Sequence, residues 1–100
     1  MATLHLLSHS PFSDGRLASC LQLVAADDAL LLCGDAVYAL QAGTAQRQTL
    51  ESMPAQISLF ALDEDLSARG IEELPSRLQQ VDYDDFVELC CRYDRTNSWL

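Results

Sequence analysis

Residues 29–33 read Ala-Leu-Leu-Leu-Cys, an apolar run of strand length with no polar interruption. A strand with one wet face alternates apolar and polar side chains; one that does not alternate is covered on both faces. Double coverage marks a central strand of a parallel sheet with helices on each side. Thr3 to Ser8 and Ile57 to Leu62 have similar apolar density and are predicted to be its neighbours. Gln80-Val81 is a shorter fourth candidate.

The segments between these strands have helical signals. Ser10-Pro11 ends the first strand, because proline cannot donate to a ladder and pushes its predecessor towards extended geometry. Ser13 is then a candidate N-cap with Asp14 in the first turn. Leu17, Cys20, Leu21 and Val24 follow at i, i+3, i+4 and i+7, which predicts one buried helical face. Asp27-Asp28 closes that helix. Asp35 is expected to cap a short helix from Ala36 to Leu40. Gln41 to Gln48 reads as loop, and Thr49 to Met53 as one more helical turn stopped by Pro54. Asp63-Glu64-Asp65 opens a helix where its dipole favours anions, and Gly70 supplies the left-handed stop after Arg69. Asp82 caps a last helix with the apolar face Tyr83, Phe86, Val87, Cys90. Thr96 to Leu100 reads as a polar tail carrying Trp99. Alternation of strand and helix predicts a small α/β sandwich with a four- to five-stranded, mostly parallel sheet flanked by helices. The 100 residues are read as a single domain, 1–100.

Charge narrows the function. Six Lys+Arg stand against fifteen Asp+Glu, for a net charge of −9, and all six cations are arginine. A nucleic-acid binder needs clustered cations to displace counterions, and six scattered arginines among fifteen acids do not form such a stripe. An anionic membrane surface is disfavoured for the same reason. Chemistry that needs a lysine, such as a Schiff base or a Walker-type phosphate cradle, is excluded. No apolar run reaches the roughly 18 residues of a membrane span. The N-terminal residues have no basic stretch before their apolar segment, so no signal peptide is read there. The expected location is the cytoplasm, where the four thiols Cys20, Cys33, Cys90 and Cys91 stay reduced. There is no C-x-x-C and no His spacing typical of a metal site, so no metal or cofactor is expected.

The candidates for chemistry are few. In a parallel sheet, sites gather at the carboxyl ends of the strands. These are predicted at Ser8-His9-Ser10, Cys33-Gly34-Asp35, Leu62-Asp63 and Asp82. Cys20 has Arg16 one turn earlier, which makes it the candidate nucleophilic thiol; its alternative is a small buried apolar side chain. Cys33 has an acid two residues on, which raises a thiol's pKa. His9 is either a loop histidine or a base. Trp99 either covers a sheet edge of its own subunit or anchors in a partner. Tyr38 is the second candidate interface residue.

Leu4-His5, Ser10-Pro11-Phe12, Leu30-Leu31-Leu32 with Asp35 after it, Glu64-Asp65-Leu66-Ser67-Ala68-Arg69-Gly70 and Asp82-Tyr83-Asp84-Asp85-Phe86-Val87 occur in an order that resembles the TusB/DsrH family over nearly the whole chain. The resemblance implies a flavodoxin-like DsrE fold. It implies the small subunit of a three-protein complex with TusC/DsrF-like and TusD/DsrE-like partners, assembled as a dimer of heterotrimers. Such complexes relay persulfide sulfur, through a downstream carrier of the TusE/DsrC type, towards 2-thiolation of the tRNA wobble uridine; DsrH systems serve sulfur oxidation. The resemblance places the main sulfur-bearing cysteine on the TusD/DsrE-like subunit. It also matches Ser19-Cys20-Leu21 to a first-helix cysteine of DsrH-type members, which makes Cys20 a candidate persulfide carrier. The expectation is an assembly subunit without catalytic activity alone, the alternative a carrier acting through Cys20.

Overall fold

The computed structural model describes residues 2–13 and 15–99. Strands β1 (Thr3–Leu7), β2 (Ala29–Leu32), β3 (Ser58–Leu62), β4 (Leu78–Val81) and β5 (Arg95–Trp99) form one sheet in the order β4-β3-β2-β1-β5. Every neighbouring pair is parallel. Between them lie α1 (Arg16–Leu23), a 3-10 helix (Gly34–Leu40), α2 (Ala45–Glu51), α3 (Asp63–Ala68) and α4 (Tyr83–Arg92).

The chain steps from β1 to β4 in one direction, then returns past β1 to place β5 at the opposite edge. Right-handed crossovers taken in opposite directions put their helices on opposite faces. Leu17, Cys20, Val37, Leu40, Leu50 and Leu66 therefore pack one side of the sheet with Leu7, Leu30, Leu32 and Leu59. On the other side α4 alone contributes Leu89 against Leu4, Leu31, Phe60 and Leu62. All four residues of β2 are buried, alternating between these two cores, as its uninterrupted apolar run requires.

Several helix ends follow the sequence. Asp82 and Asp85 form a reciprocal capping box: Asp85 N–H donates to Asp82 Oδ1 at 2.8 Å and Asp82 N–H to Asp85 Oδ2 at 3.3 Å. Gly70 takes φ +66° after α3.

Others differ. Helix α1 starts behind Gly15 without a side-chain cap; Ser13 Oγ donates instead to Ser10 O at 3.0 Å, and Asp14 lies outside the described residues. Asp35 sits inside the first turn of the 3-10 helix and does not cap it; Cys33 holds the cap position. The segment expected as loop to Gln48 is already helical from Ala45. Thr44 caps α2, its Oγ1 accepting from Arg47 N–H at 3.2 Å. Only Leu50 of α2 is buried, so its sequence carries no apolar periodicity. The polar tail is β5, an edge strand whose residues 95–98 are exposed. It is held at its start by exchange with Ala2, whose N–H donates to Asp94 Oδ2 while Ala2 O accepts from Asp94 N–H, each at 3.0 Å.

Arg77 ties β4 to the end of α2. Its guanidinium donates to the carbonyls of Leu50, Glu51, Met53, Pro54 and Ile57 at 2.6–3.2 Å. It thereby satisfies acceptors that a helix terminus leaves open. Urea unfolding of Arg77→Met is expected to show a loss of about 2–3 kcal/mol, against about 1 kcal/mol for Asp82→Ala, which removes one cap. Equal losses would contradict the role given to Arg77.

Candidate functional site

The carboxyl end of β2 carries a polar cluster at the mouth of the sheet. Gly34 turns the chain with φ +52°, and a Cβ there would stand 3.2 Å from Ser8 O. Its N–H donates to Asp65 Oδ2 at 2.8 Å. Arg69 Nε and Nη2 donate to Asp35 Oδ1 at 3.1 and 2.9 Å, and Nη1 lies 3.5 Å from Asp65 Oδ1. The guanidinium carbon stands 5.8 Å from the centre of the Tyr38 ring. The hydrogen bond that Arg69 donates to Asp35 raises the Arg69 pKa still further. This arginine is engaged by two carboxylates and a ring, so the cluster is a brace between the 3-10 helix and α3, not an anion receptor. Beside it, Cys33 Sγ donates to Leu7 O at 3.5 Å. Burial pushes the Cys33 thiol up, and the charge of Asp65 adds to that. The acid that acts on Cys33 is thus Asp65 from α3. His9 is exposed on the loop after β1.

A second polar cluster lies inside the α1 side of the sheet. Asp28, 4% exposed, accepts from three donors: Thr3 N–H at 2.9 Å, Ala25 N–H at 2.9 Å, and the His5 imidazole at 3.3 Å. His5 is equally buried, and its Nδ1 lies 3.1 Å from Trp99 Nε1. An indole N–H only donates, so Nδ1 accepts and Nε2 carries the proton that faces Asp28. The His5 and Trp99 rings are 6.2 Å apart at 38°. The chain of contacts joins the loop after α1, β1 and the last residue of β5. Burial alone would raise the Asp28 pKa; the donors from Ala25, Thr3 and His5 outweigh it and hold the carboxyl below its usual range.

Cys20 lies in this core with no exposed surface. Burial pushes its thiol up to about 12, and the charge of Asp28 acts in the same direction. Cysteine, histidine and aspartate share one region, yet both His5 nitrogens are engaged, so no imidazole lone pair faces the thiol. A nucleophilic cysteine needs the opposite setting, accessible and next to positive charge. Cys90 is half-buried and Cys91 exposed, and all four cysteines are free. Among the described residues no group of three or more His, Cys, Asp or Glu side chains is placed to hold a metal ion. Among them, too, no helix is long and apolar enough to cross a membrane. Tyr38 and Trp99, the sequence candidates for a partner interface, are half-buried. Both pack against the larger core, Tyr38 under Arg69 and Trp99 at the β5 edge of its own subunit.

Comparison with known proteins places this architecture. Among solved structures, the ychN protein of E. coli superposes with a TM-score of 0.76, covering 98% of this chain and 99% of that one at 21% identity. A protein of Methanobacterium thermoautotrophicum gives 0.64 over 94% and 95% at 12% identity. These likenesses define an α/β protein of the DsrE-like fold. A family model described as DsrH like protein matches residues 9–96. Protein TusB of Erwinia tasmaniensis is 39% identical over 97 residues, covering 96% of this chain and 99% of its own. Protein TusB of Serratia proteamaculans is 40% identical over the same shares. The chain belongs to the TusB/DsrH family.

Two outcomes check this geometry. Maleimide labelling of the native protein, read by peptide mass mapping, is expected to modify Cys91 readily and leave Cys20 untouched until denaturant is added; prompt labelling of Cys20 would contradict its burial. The Asp28 carboxyl has a lower pKa folded than unfolded. Its contribution is fully present above about pH 4 and is lost as pH falls through the depressed folded value. Asp28→Asn is therefore expected to lower stability at pH 7 and to flatten the acid limb of the stability curve. An unchanged acid limb would remove Asp28 from that role.

Proposed function

We propose that this chain is the small, structural subunit of a sulfur-relay hetero-oligomer of the TusBCD type, serving 2-thiolation of the tRNA wobble uridine. Family membership supports the relay and a complex with TusC-like and TusD-like subunits. The dimer-of-heterotrimers arrangement and delivery to a TusE/DsrC-type carrier belong to the same reading. The observation that carries the assembly role is the state of Cys20, the candidate carrier thiol, and of Cys33 at the carboxyl end of β2. Cys20, the candidate carrier, is fully enclosed with its pKa driven up, and Cys33 is held in an acidic setting that disfavours thiolate. Persulfide exchange proceeds by thiolate attack on sulfur and needs access as well as ionisation. Cys20 would have to leave the core before it could accept sulfur.

The acidic surface agrees with this division of labour. Arg47, Arg69 and Arg77 are engaged within the fold, on backbone carbonyls or on carboxylates. RNA contact is thus left to other subunits or carriers. Co-expression with the TusC-like and TusD-like subunits of the same organism, followed by native mass spectrometry, is expected to give one complex containing all three chains. Recovery of this chain as a lone monomer beside a stable complex of the other two would overturn the proposal.

A further inference from the structure

The apolar face predicted for α4 is only partly used by its own subunit. Leu89 is buried, and Phe86 and Cys90 are half-buried against the sheet. Tyr83 is 58% exposed and Val87 62% exposed. Cys91 is exposed as well. Positions 83, 87 and 91 succeed one another at i+4, so they form one row along the helix. The row stands beside a sheet face that α4 covers alone, where Leu6, Cys33 and Tyr93 remain half-buried. Single exposed apolar side chains are ordinary; a row of them on the one helix that, among the described residues, covers this sheet face is a patch.

Charge decides what can cover it. Asp63, Glu64, Asp65, Asp82, Asp84, Asp85, Glu88 and Asp94, eight of the fifteen acids, lie on α3, on α4 or directly beside α4. Arg92 is the sole cation of α4. The charges of Glu64 and Asp65 act on Tyr83 and raise its phenol pKa. A second copy of this chain would set acid against acid, and like charges juxtaposed at an interface suppress pairing. By contrast, residues 15–26 and 36–50, which hold α1 and most of the 3-10 helix and α2 on the opposite face, contain no acid; in that layer the acids gather on α3, at Asp63, Glu64 and Asp65.

We propose that the outer face of α4 is the docking surface for a different protein subunit, one whose contact surface has an apolar centre ringed by arginine and lysine. Tyr83 and Val87 fill the partner's apolar centre, and Asp84, Glu88 and Glu64 meet its cations. This inference rests on the hetero-oligomer proposed above and assigns the face through which it forms.

The test measures binding of this chain to the TusC-like and TusD-like subunits, with Val87→Arg on α4 and Leu23→Arg on the opposite face as control. Both positions are more than half exposed, so both variants are expected to keep the wild-type melting temperature. Val87→Arg is expected to raise the Kd by about tenfold or more, and Leu23→Arg by less than about threefold. Wild-type affinity is expected to fall with added salt, and Cys91, open to maleimide in the free chain, to be protected in the complex. If wild type forms no complex, the hetero-oligomer reading fails and this inference falls with it. If wild type binds and Val87→Arg binds equally well, or Cys91 stays open in the complex, the α4 assignment alone is overturned. If the isolated chain dimerises and Val87→Arg abolishes that, the occupant is a second copy and the basic partner is wrong.

Discussion

The Asp28 carboxylate is the fixed point of this fold. A buried carboxylate is tolerated only when its lone pairs are met, and here three N–H groups meet them, two from β1 and one from the loop after α1. One of those donors is His5, and fixing its proton on Nε2 leaves Nδ1 to accept from Trp99. The last strand, whose other side chains are exposed and polar, is thus locked to the sheet through an imidazole, 94 residues away in sequence. The same arrangement leaves Cys20 without a base and next to a negative charge. One interaction therefore orders the sheet edge and keeps the core thiol inert.

Topology then makes the two sides of the sheet unequal. Three crossovers in one direction give one face three α-helices and a 3-10 helix; the single return gives the other face α4 only. A five-stranded sheet with a lone helix over one side retains apolar surface there. The arginines offset little of the acid around it, because Arg77 and Arg47 are engaged on carbonyls and Arg69 is shared between Asp35 and Asp65. What remains is an acidic chain whose α4 leaves Tyr83 and Val87 exposed, the surface proposed above for assembly.

Much of this was legible from the residues. The unbroken run at β2 fixes a parallel sheet covered on both sides, and the caps at Asp82 and Gly70 stand where their chemistry places them. The i, i+3, i+4, i+7 spacing puts Cys20 on the buried face of α1. What escaped lacks a periodic signal. Helix α2 buries one residue, and β5 is a polar edge strand. The His5–Asp28 contact joins positions 23 residues apart. Its one trace in the sequence is a histidine inside an apolar strand and an aspartate just before another, two polar groups that need a partner if buried. The brace of Arg69 between Asp35 and Asp65 was equally hidden, because local reading assigns Asp35 to a cap and Arg69 to a helix end.

In the function proposed above, this subunit supports sulfur transfer without carrying sulfur. The most direct measurement is the 2-thiouridine content of tRNA, by mass spectrometry of nucleosides, in cells whose own copy of the chain is replaced by a variant with all four cysteines changed to alanine. Thiolation close to that of the wild type is expected, provided the variant still assembles. Thiolation lost from a fully assembled complex would mean that a cysteine of this chain carries sulfur and that the structural role is wrong.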